Sequence, residues 1–349
     1  MTACGLAEKE PKRYQAQFLE LFDTVTTIIG YADSEKEFSE FAQSVHDILE
    51  QYHELYDIYN DYEGVNNIKT INDNAGIAPV KVDRKIIDVL LKSKEAYTLS
   101  EGKKNIAFGA VLSIWHDYRE EGIADPDMAR LPDMEVLKEK AQHTDINKMI
   151  INDEESTVYL EDPEMSLDVG AIAKGYATER VVQQLKADGY YNALISVGGN
   201  VRAMGSKGVD IKKSNVSEKD MVPWSVGIQN PDLESDEQYI ELLNLTDMSL
   251  VSSGDYERYY TVDGKRYHHI INPATLMPAD YFTAVSIVTE DSGWADALTT
   301  IIFNMPYEDG VKLIEGLTDT EALWIFKDGA LKYTSGFAKY LKPDSGAQE

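Results

Sequence analysis

Ser166-Leu167-Asp168-Val169-Gly170-Ala171-Ile172-Ala173-Lys174-Gly175-Tyr176 is the stretch whose reading decides the fold. Ser166 to Val169 reads as a short strand that meets a glycine. From Gly170 to about Asp188 the pattern turns helical, with Ala173, Ala177, Val181 and Leu185 on one i,i+4 row. Gly189 follows where a left-handed helix cap is expected. Asn192-Ala193-Leu194-Ile195-Ser196-Val197 then reads as a buried strand that stops at Gly198-Gly199.

Outward from this unit, strands and helices mix without strict alternation. Upstream, the β-branched run Phe22–Ile29 predicts a strand. Ser34 to about Tyr56 predicts a helix, with Phe38, Phe41, Val45, Ile48 and Leu49 at helical spacing and Ser34 with Glu37 as a capping box. Further helices are expected over Asp83–Thr98 and Pro132–Gln142, with a hairpin through 149–151 and 158–160. Downstream, strands are expected over 224–229, 237–243, 248–252, 266–271 and 282–288, and helices near 292–304 and 306–316. A last strand pair, 323–326 and 331–333, turns at Asp328-Gly329. This mixture predicts the α+β class. With no Pro/Gly/Ser-rich linker, residues 17–343 read as a single large domain, preceded by a polar tether over 1–16 and followed by a flexible tail over 344–349.

Composition excludes several classes. The chain has 349 residues, 43% of them hydrophobic, which is enough for a sizeable core. Its 33 Lys+Arg against 61 Asp+Glu give a net charge of −28. That charge opposes nucleic acid, and basic residues run no longer than pairs such as Lys103-Lys104. No apolar run approaches the ~18 residues of a membrane span. A single cysteine, Cys4, excludes a disulfide scaffold. Met1-Thr2-Ala3-Cys4-Gly5 resembles the end of a bacterial lipoprotein cleavage site, so Cys4 is expected to carry a lipid and the chain to sit on a membrane outside the cytoplasm, the alternative being a free thiol in a frayed terminus.

Taken singly, the chemical motifs are ambiguous. Asp168 to Tyr176 opens a helix, whose free N–H groups and dipole suit phosphate, yet Lys174 precedes Gly175 and no Ser or Thr follows, so it is not a Walker A loop. It reads equally as an ordinary turn with an exposed lysine. Asp296 and Thr300 share a helix face, where two oxygens suit a hard cation or simply solvent. In Tyr267-His268-His269-Ile270-Ile271-Asn272-Pro273, read as a strand, the two histidines point to opposite faces, so only one can face a given site, and that one reads either as a general base or as a structural histidine bonded to a neighbour. Ser252-Ser253-Gly254-Asp255-Tyr256-Glu257-Arg258 is a binding loop or a polar turn between strands. Neither zinc-type spacing nor a GxSxG or GxGxxG motif occurs.

In this order, however, the segments resemble the ApbE family of FAD:protein FMN transferases. Asp168–Tyr176 is similar to its D-[LV]-[GS]-[AG]-I-A-K-G-Y segment, Ser196–Asn200 to S-V-G-G-[DN], and Ser253–Tyr256 to S-G-x-Y. His269–Pro273 is similar to H-I-I-[DN]-P and Ala295–Thr300 to A-D-A-L-x-T. The resemblance implies T-fold-related mixed sheets with packed helices and a set of roles. Asp296, Thr300 and the carbonyl of Ala171 would hold Mg²⁺, and His269 would be the catalytic base, with Asp296 beside it. Lys174, Ala107, Phe108, Gly109, Tyr59 and Phe22 would contact FAD, as would Gly198, Gly199, Ser253, Gly254 and Ile270 within their motifs. Gly109 stands where Asp is commoner, Asn272 where Asp is frequent, and Ala274 and Leu276 where a basic residue and Gly are frequent.

The implied reaction is Mg²⁺-dependent transfer of FMN from FAD to a Thr or Ser of an acceptor protein, releasing AMP. The implied acceptors are subunits of membrane redox complexes of the Rnf or Nqr kind. FAD hydrolysis to FMN and AMP, and flavin storage without catalysis, are the alternatives.

Overall fold

The structure, a computed structural model, describes residues 10–343. Cys4, most of the expected tether and the 344–349 tail lie outside the described residues.

Eight strands form one antiparallel sheet in which spatial order follows chain order. They are Lys12–Phe18, Thr26–Ala32, Ala193–Val197, Asn200–Met204, Ser249–Gly254, Ala284–Thr289, Glu321–Ile325 and Leu331–Tyr333. The sheet is thus a meander, with helices and three small sheets inserted into its connections. The 193–197 and 200–204 strands join through Gly198 and Gly199 alone, at φ 54° and 85°. A two-residue hairpin of that hand needs positive φ twice, which is why two glycines stand there.

Both faces of the sheet are covered, so its central strands carry apolar residues on both sides. Ala284–Thr289 is buried at every position. Val285 and Ile287 face a large core beneath the helices Glu35–Tyr56, Arg84–Leu99, Gly170–Ala187 and Ser292–Phe303. Ala284 and Val288 face a second cluster under the hairpin Trp224–Gln229 and Tyr239–Leu245. A third cluster, with Trp115, Tyr260, Ile271 and Leu276, lies under the helix Gly109–Ala124.

Local signals hold in part: the Ser34 cap forms without the reciprocal half of a capping box, since Glu37 pairs with Lys212 instead. Ser34 Oγ accepts from Glu37 N at 3.3 Å to cap the 35–56 helix. The 170–187 helix ends in a Schellman turn, with Tyr190 N donating to Leu185 O, Gly189 N to Lys186 O, and Gly189 at φ 86°. Three expectations need correction. The tether is shorter than 1–16, because Lys12–Ala16 already pair with Ile28–Ala32 as an edge strand. The expected 22–29 strand begins only at Thr26, because Leu21–Asp23 form a 3₁₀ turn with Phe22 in the left-handed region. Ser166–Val169 joins no ladder. Its partners are Asn72, whose side chain exchanges bonds with Leu167 N and O at 2.7 and 3.0 Å, and the 106–109 turn, through Asp168 N to Ile106 O and Gly109 N to Ser166 O. A side chain and a turn thus take the place of a neighbouring strand, and Val169, at φ −97° and ψ 3°, has already left the extended region.

Candidate active site

The 170–187 and 292–303 helices meet at Gly175. A Cβ there would stand 2.3 Å from Ser292 O and 2.5 Å from Asp296 Cβ, so only glycine allows this approach. The approach lets Asp296 Oδ2 accept from Gly175 N at 2.8 Å. Asp296 is 5% exposed, a buried carboxylate on the floor of a deep cleft. Across the junction, Lys104 Nζ donates to the carbonyl of Ala171 at 2.7 Å. Lys104 is 3% exposed, and desolvation pushes its ammonium down to about 8, against the pull of nearby Asp296.

The cleft encloses about 870 Å³, within the range of cofactor-sized sites. Its lining gathers Asp296, Thr300, Ala171, Lys174, His269, Ile270, Ser253, Gly198, Gly199, Phe108, Gly109, Tyr59 and Phe22. Segments far apart in the chain thus converge on one surface. Two sequence-predicted residues do not reach it. Ala107 is wholly buried in the core. Gly254 sits behind the wall, where a Cβ would strike the Tyr256 ring at 2.4 Å. The helix start is also less open than a phosphate site would need, since Asp168 Oδ1 takes Gly170 N at 2.8 Å and Val169 O takes the Ile172 and Ala173 N–H groups.

The adjacent histidines have different surroundings, although the strand expected over 266–271 ends at His268. His268 is buried with both ring nitrogens engaged. Nε2 donates to Ala279 O at 2.8 Å and Nδ1 accepts from Ile270 N at 3.2 Å. His269, just past the strand Lys265–His268, is half-buried on the cleft wall. Its Nδ1 donates to the Glu257 carbonyl at 3.3 Å, which leaves Nε2 as the basic nitrogen. Desolvation, His268 and the cations Arg258, Lys174 and Arg119 push the imidazole down to about 3, so it is neutral near pH 7.

The departures from the family pattern have local reasons. A Cβ at Gly109 would meet Ser166 O at 2.5 Å, so the aspartate found elsewhere has no room. Leu276 keeps a glycine-like φ of 61° because its side chain packs in the Trp115 cluster and its carbonyl accepts from Trp115 Nε1 at 3.0 Å. Asn272 Oδ1 accepts from Ala274 N at 2.9 Å, the turn geometry an aspartate would give.

Sequence reasoning missed Lys104 and Arg119 on the cleft, while Glu257 and Arg258 reach it from the Ser252–Arg258 stretch that read as a binding loop or a polar turn. Lys104 was visible only as half of a basic pair. Its partner carbonyl is 67 residues away, and nothing local announces it.

The donor set fits a hard cation: a buried carboxylate, a threonine hydroxyl one turn on and a backbone carbonyl. Asn304, a further turn along, has a buried amide oxygen with no hydrogen-bond partner among the described residues, so this floor is rich in oxygen. A carbonyl has two lone pairs, so the bond from Lys104 leaves Ala171 O able to serve as a ligand.

Fold and cleft together define a single-domain α+β enzyme that receives its ligand over the contact between two helices, beyond the edge of an antiparallel meander. The chain belongs to the ApbE family, whose profile matches residues 22–324. It is 34% identical over 281 residues to a Treponema pallidum FAD:protein FMN transferase, covering 79% of this chain and 75% of that one. A Klebsiella pneumoniae FAD:protein FMN transferase is 29% identical over 309 residues, 88% of this chain and 89% of its own. Among solved structures, the ApbE protein of Thermotoga maritima superposes with a TM-score of 0.79 at 27% identity, over 95% of this chain and all of that one.

Proposed function

We propose that this flavin transferase moves FMN from FAD to a Thr or Ser hydroxyl of an acceptor protein, in a Mg²⁺-dependent reaction that releases AMP. The observation that carries the reading is the convergence of Asp296, Ala171, Lys174 and His269 on one cofactor-sized cleft. Asp296, Thr300 and the Ala171 carbonyl would hold Mg²⁺, which supplies positive charge to the diphosphate oxygens.

The chain's own groups account for the remaining needs. Phosphoryl transfer demands in-line placement and charge neutralisation more than covalent help. On a chain of net charge −28, the cleft lining carries Lys103, Lys104, Lys174, Arg119 and Arg258 beside its carboxylates, and these are the cations that would meet a dianion. Neutral His269 takes the proton of the acceptor hydroxyl at Nε2. The hydroxyl oxygen bonds to the FMN phosphorus, and the P–O bond to the AMP phosphate breaks with AMP leaving. Glu257 O, by holding Nδ1–H, keeps that base oriented.

We further propose, from the Met1–Gly5 pattern, an extracytoplasmic lipoprotein anchored through Cys4, acting on Rnf- or Nqr-like subunits of membrane redox complexes. The test is incubation with FAD and Mg²⁺, with and without an acceptor domain, following AMP and protein-bound flavin fluorescence. AMP that depends on acceptor, with a covalent fluorescent band, is expected. AMP without acceptor would make the protein a hydrolase, and stable FAD with no AMP a carrier.

A further inference from the structure

Two aromatic side chains at the mouth of the cleft, Phe22 and Tyr59, come from segments with no shared secondary structure. Phe22 and Asp23 are consecutive non-glycine residues in the left-handed region, at φ 57° and 51°. Such a conformation is costly for a bulky residue and persists only when the surroundings impose it. Tyr59 is 55% exposed, follows the end of the 35–56 helix, and packs its ring 5.3 Å from that of His116.

A chain of hydrogen bonds joins these two points. Phe22 N donates to His53 Nδ1 at 3.2 Å, and the Phe22 ring meets the imidazole edge-on at 5.5 Å. An amide can only donate, so Nδ1 is the acceptor, and Nε2 carries the hydrogen of the neutral ring. Nε2 lies 3.4 Å from the hydroxyl of Tyr62, which donates to Asp57 Oδ2 at 2.8 Å. Asp57 Oδ1 in turn accepts from Tyr59 N at 2.6 Å and Asn60 N at 3.1 Å. Burial opposes the Asp57 charge, but bonds from Asn60, Tyr59 and Tyr62 outweigh it and hold the carboxyl below its usual range. The hydroxyl of Tyr62 is pushed up by desolvation and by its bond to Asp57, so it stays a donor. Every donor meets an acceptor, and the directions are mutually consistent.

We infer that His53 and Tyr62 are positioning residues that latch the Phe22 turn to the Tyr59 turn and so set the spacing of the aromatic walls between which the flavin end of FAD is received. This rests on the reading of FAD as the ligand. The latch touches none of Asp296, Thr300, Ala171 or His269 through these bonds, so its loss is expected in binding and not in the chemical step.

The experiment uses the full chain with Tyr62→Phe, His53→Ala and His53→Asn, the last keeping an acceptor for Phe22 N while losing the link to Tyr62. FAD affinity is read from flavin fluorescence, and kcat and KM from acceptor flavinylation. Amide hydrogen exchange is followed over 21–24 and 57–60. In Tyr62→Phe, which loses a bond to the charged Asp57 carboxylate, the Kd and KM for FAD rise roughly threefold to tenfold or more, with kcat within about twofold of the parent. Exchange quickens in both segments together, and His53→Asn restores protection at 21–24 but not at 57–60. Unchanged KM and exchange in a folded Tyr62→Phe protein would overturn the latch, as would a fall in kcat at constant KM. If His53→Ala does not fold, Tyr62→Phe decides alone. A parent protein that binds no FAD would overturn the reading of the ligand, while joint exchange of the two segments would still stand for the latch.

Discussion

The two ends of the cleft are held by opposite means. At the floor, the helix contact at Gly175 brings Asp296 and the Ala171 carbonyl together by close packing, and the groups are almost wholly buried. At the mouth, the turns that carry Phe22 and Tyr59 are joined to each other by a series of hydrogen bonds between half-exposed side chains, beside the packing of Phe22 on the core and of Tyr59 on His116. Packed backbones do not move without large cost, whereas a polar chain near solvent opens locally. Charge and proton transfer need placement to a fraction of an ångström, and a rigid floor supplies it. A large substrate that must enter and leave needs walls that yield.

The comparison can be broken most severely at the chemical groups. His269→Ala is expected to slow the single-turnover step by about 10²–10⁴-fold while FAD binding changes little. An unchanged rate would remove His269 as the base. Asp296→Asn retains an acceptor for Gly175 N but loses the charge. Metal-dependent turnover should fall on the order of 10²–10³-fold with the melting temperature nearly constant. Alanine at 296 is the poorer test, because it would orphan the buried Gly175 amide, at a cost of about 1–3 kcal/mol.

The mechanical contrast is sharpened by a pair of substitutions. Gly175→Ala drives a methyl group into Ser292 O and Asp296, so urea unfolding should show a loss of about 1–3 kcal/mol together with impaired turnover. Tyr59→Ala, at an exposed position, should leave stability within about 0.5 kcal/mol. It should weaken FAD binding by roughly twofold to tenfold, the loss of one aromatic contact. Equal destabilisation by the two would erase the distinction between floor and mouth.

The smallest effect is on pH dependence. His269 titrates at an ordinary 6.5 when unfolded but is held to about 3 in the fold. Between those values the unfolded chain binds more protons, so folding stability falls as pH drops through that window. Burial lowers His268 in the same direction. Unfolding midpoints compared at about pH 7.5 and about pH 5 should therefore decline with acid, and less so in His269→Gln. An identical slope in that variant would show that His269 is not desolvated.

Much of this was legible in the residues. The cap at Ser34, the Schellman glycine at Gly189, the helix over 170–187 and the Gly198-Gly199 turn follow from local preferences that operate within a few residues. That only one of the two histidines would face the cleft was legible, but the strand ends at His268, and the choice of His269 came from the family motif. Less legible were the edge strand Lys12–Phe18, whose partner lies across a turn, and Ser166–Val169, which is held through Asn72 rather than through a ladder.

The sequence by itself determined the helices, the turns, the order of the motifs and the kinds of atoms they offer, because these depend on neighbours along the chain. Only the tertiary structure decided which atoms meet. Lys104 lies on the Ala171 carbonyl, Asp296 under Gly175 and His53 beneath Phe22, across 67, 121 and 31 residues. Such meetings depend on how closely two backbones can approach, and that distance is set by packing of the whole core, not by any segment of it.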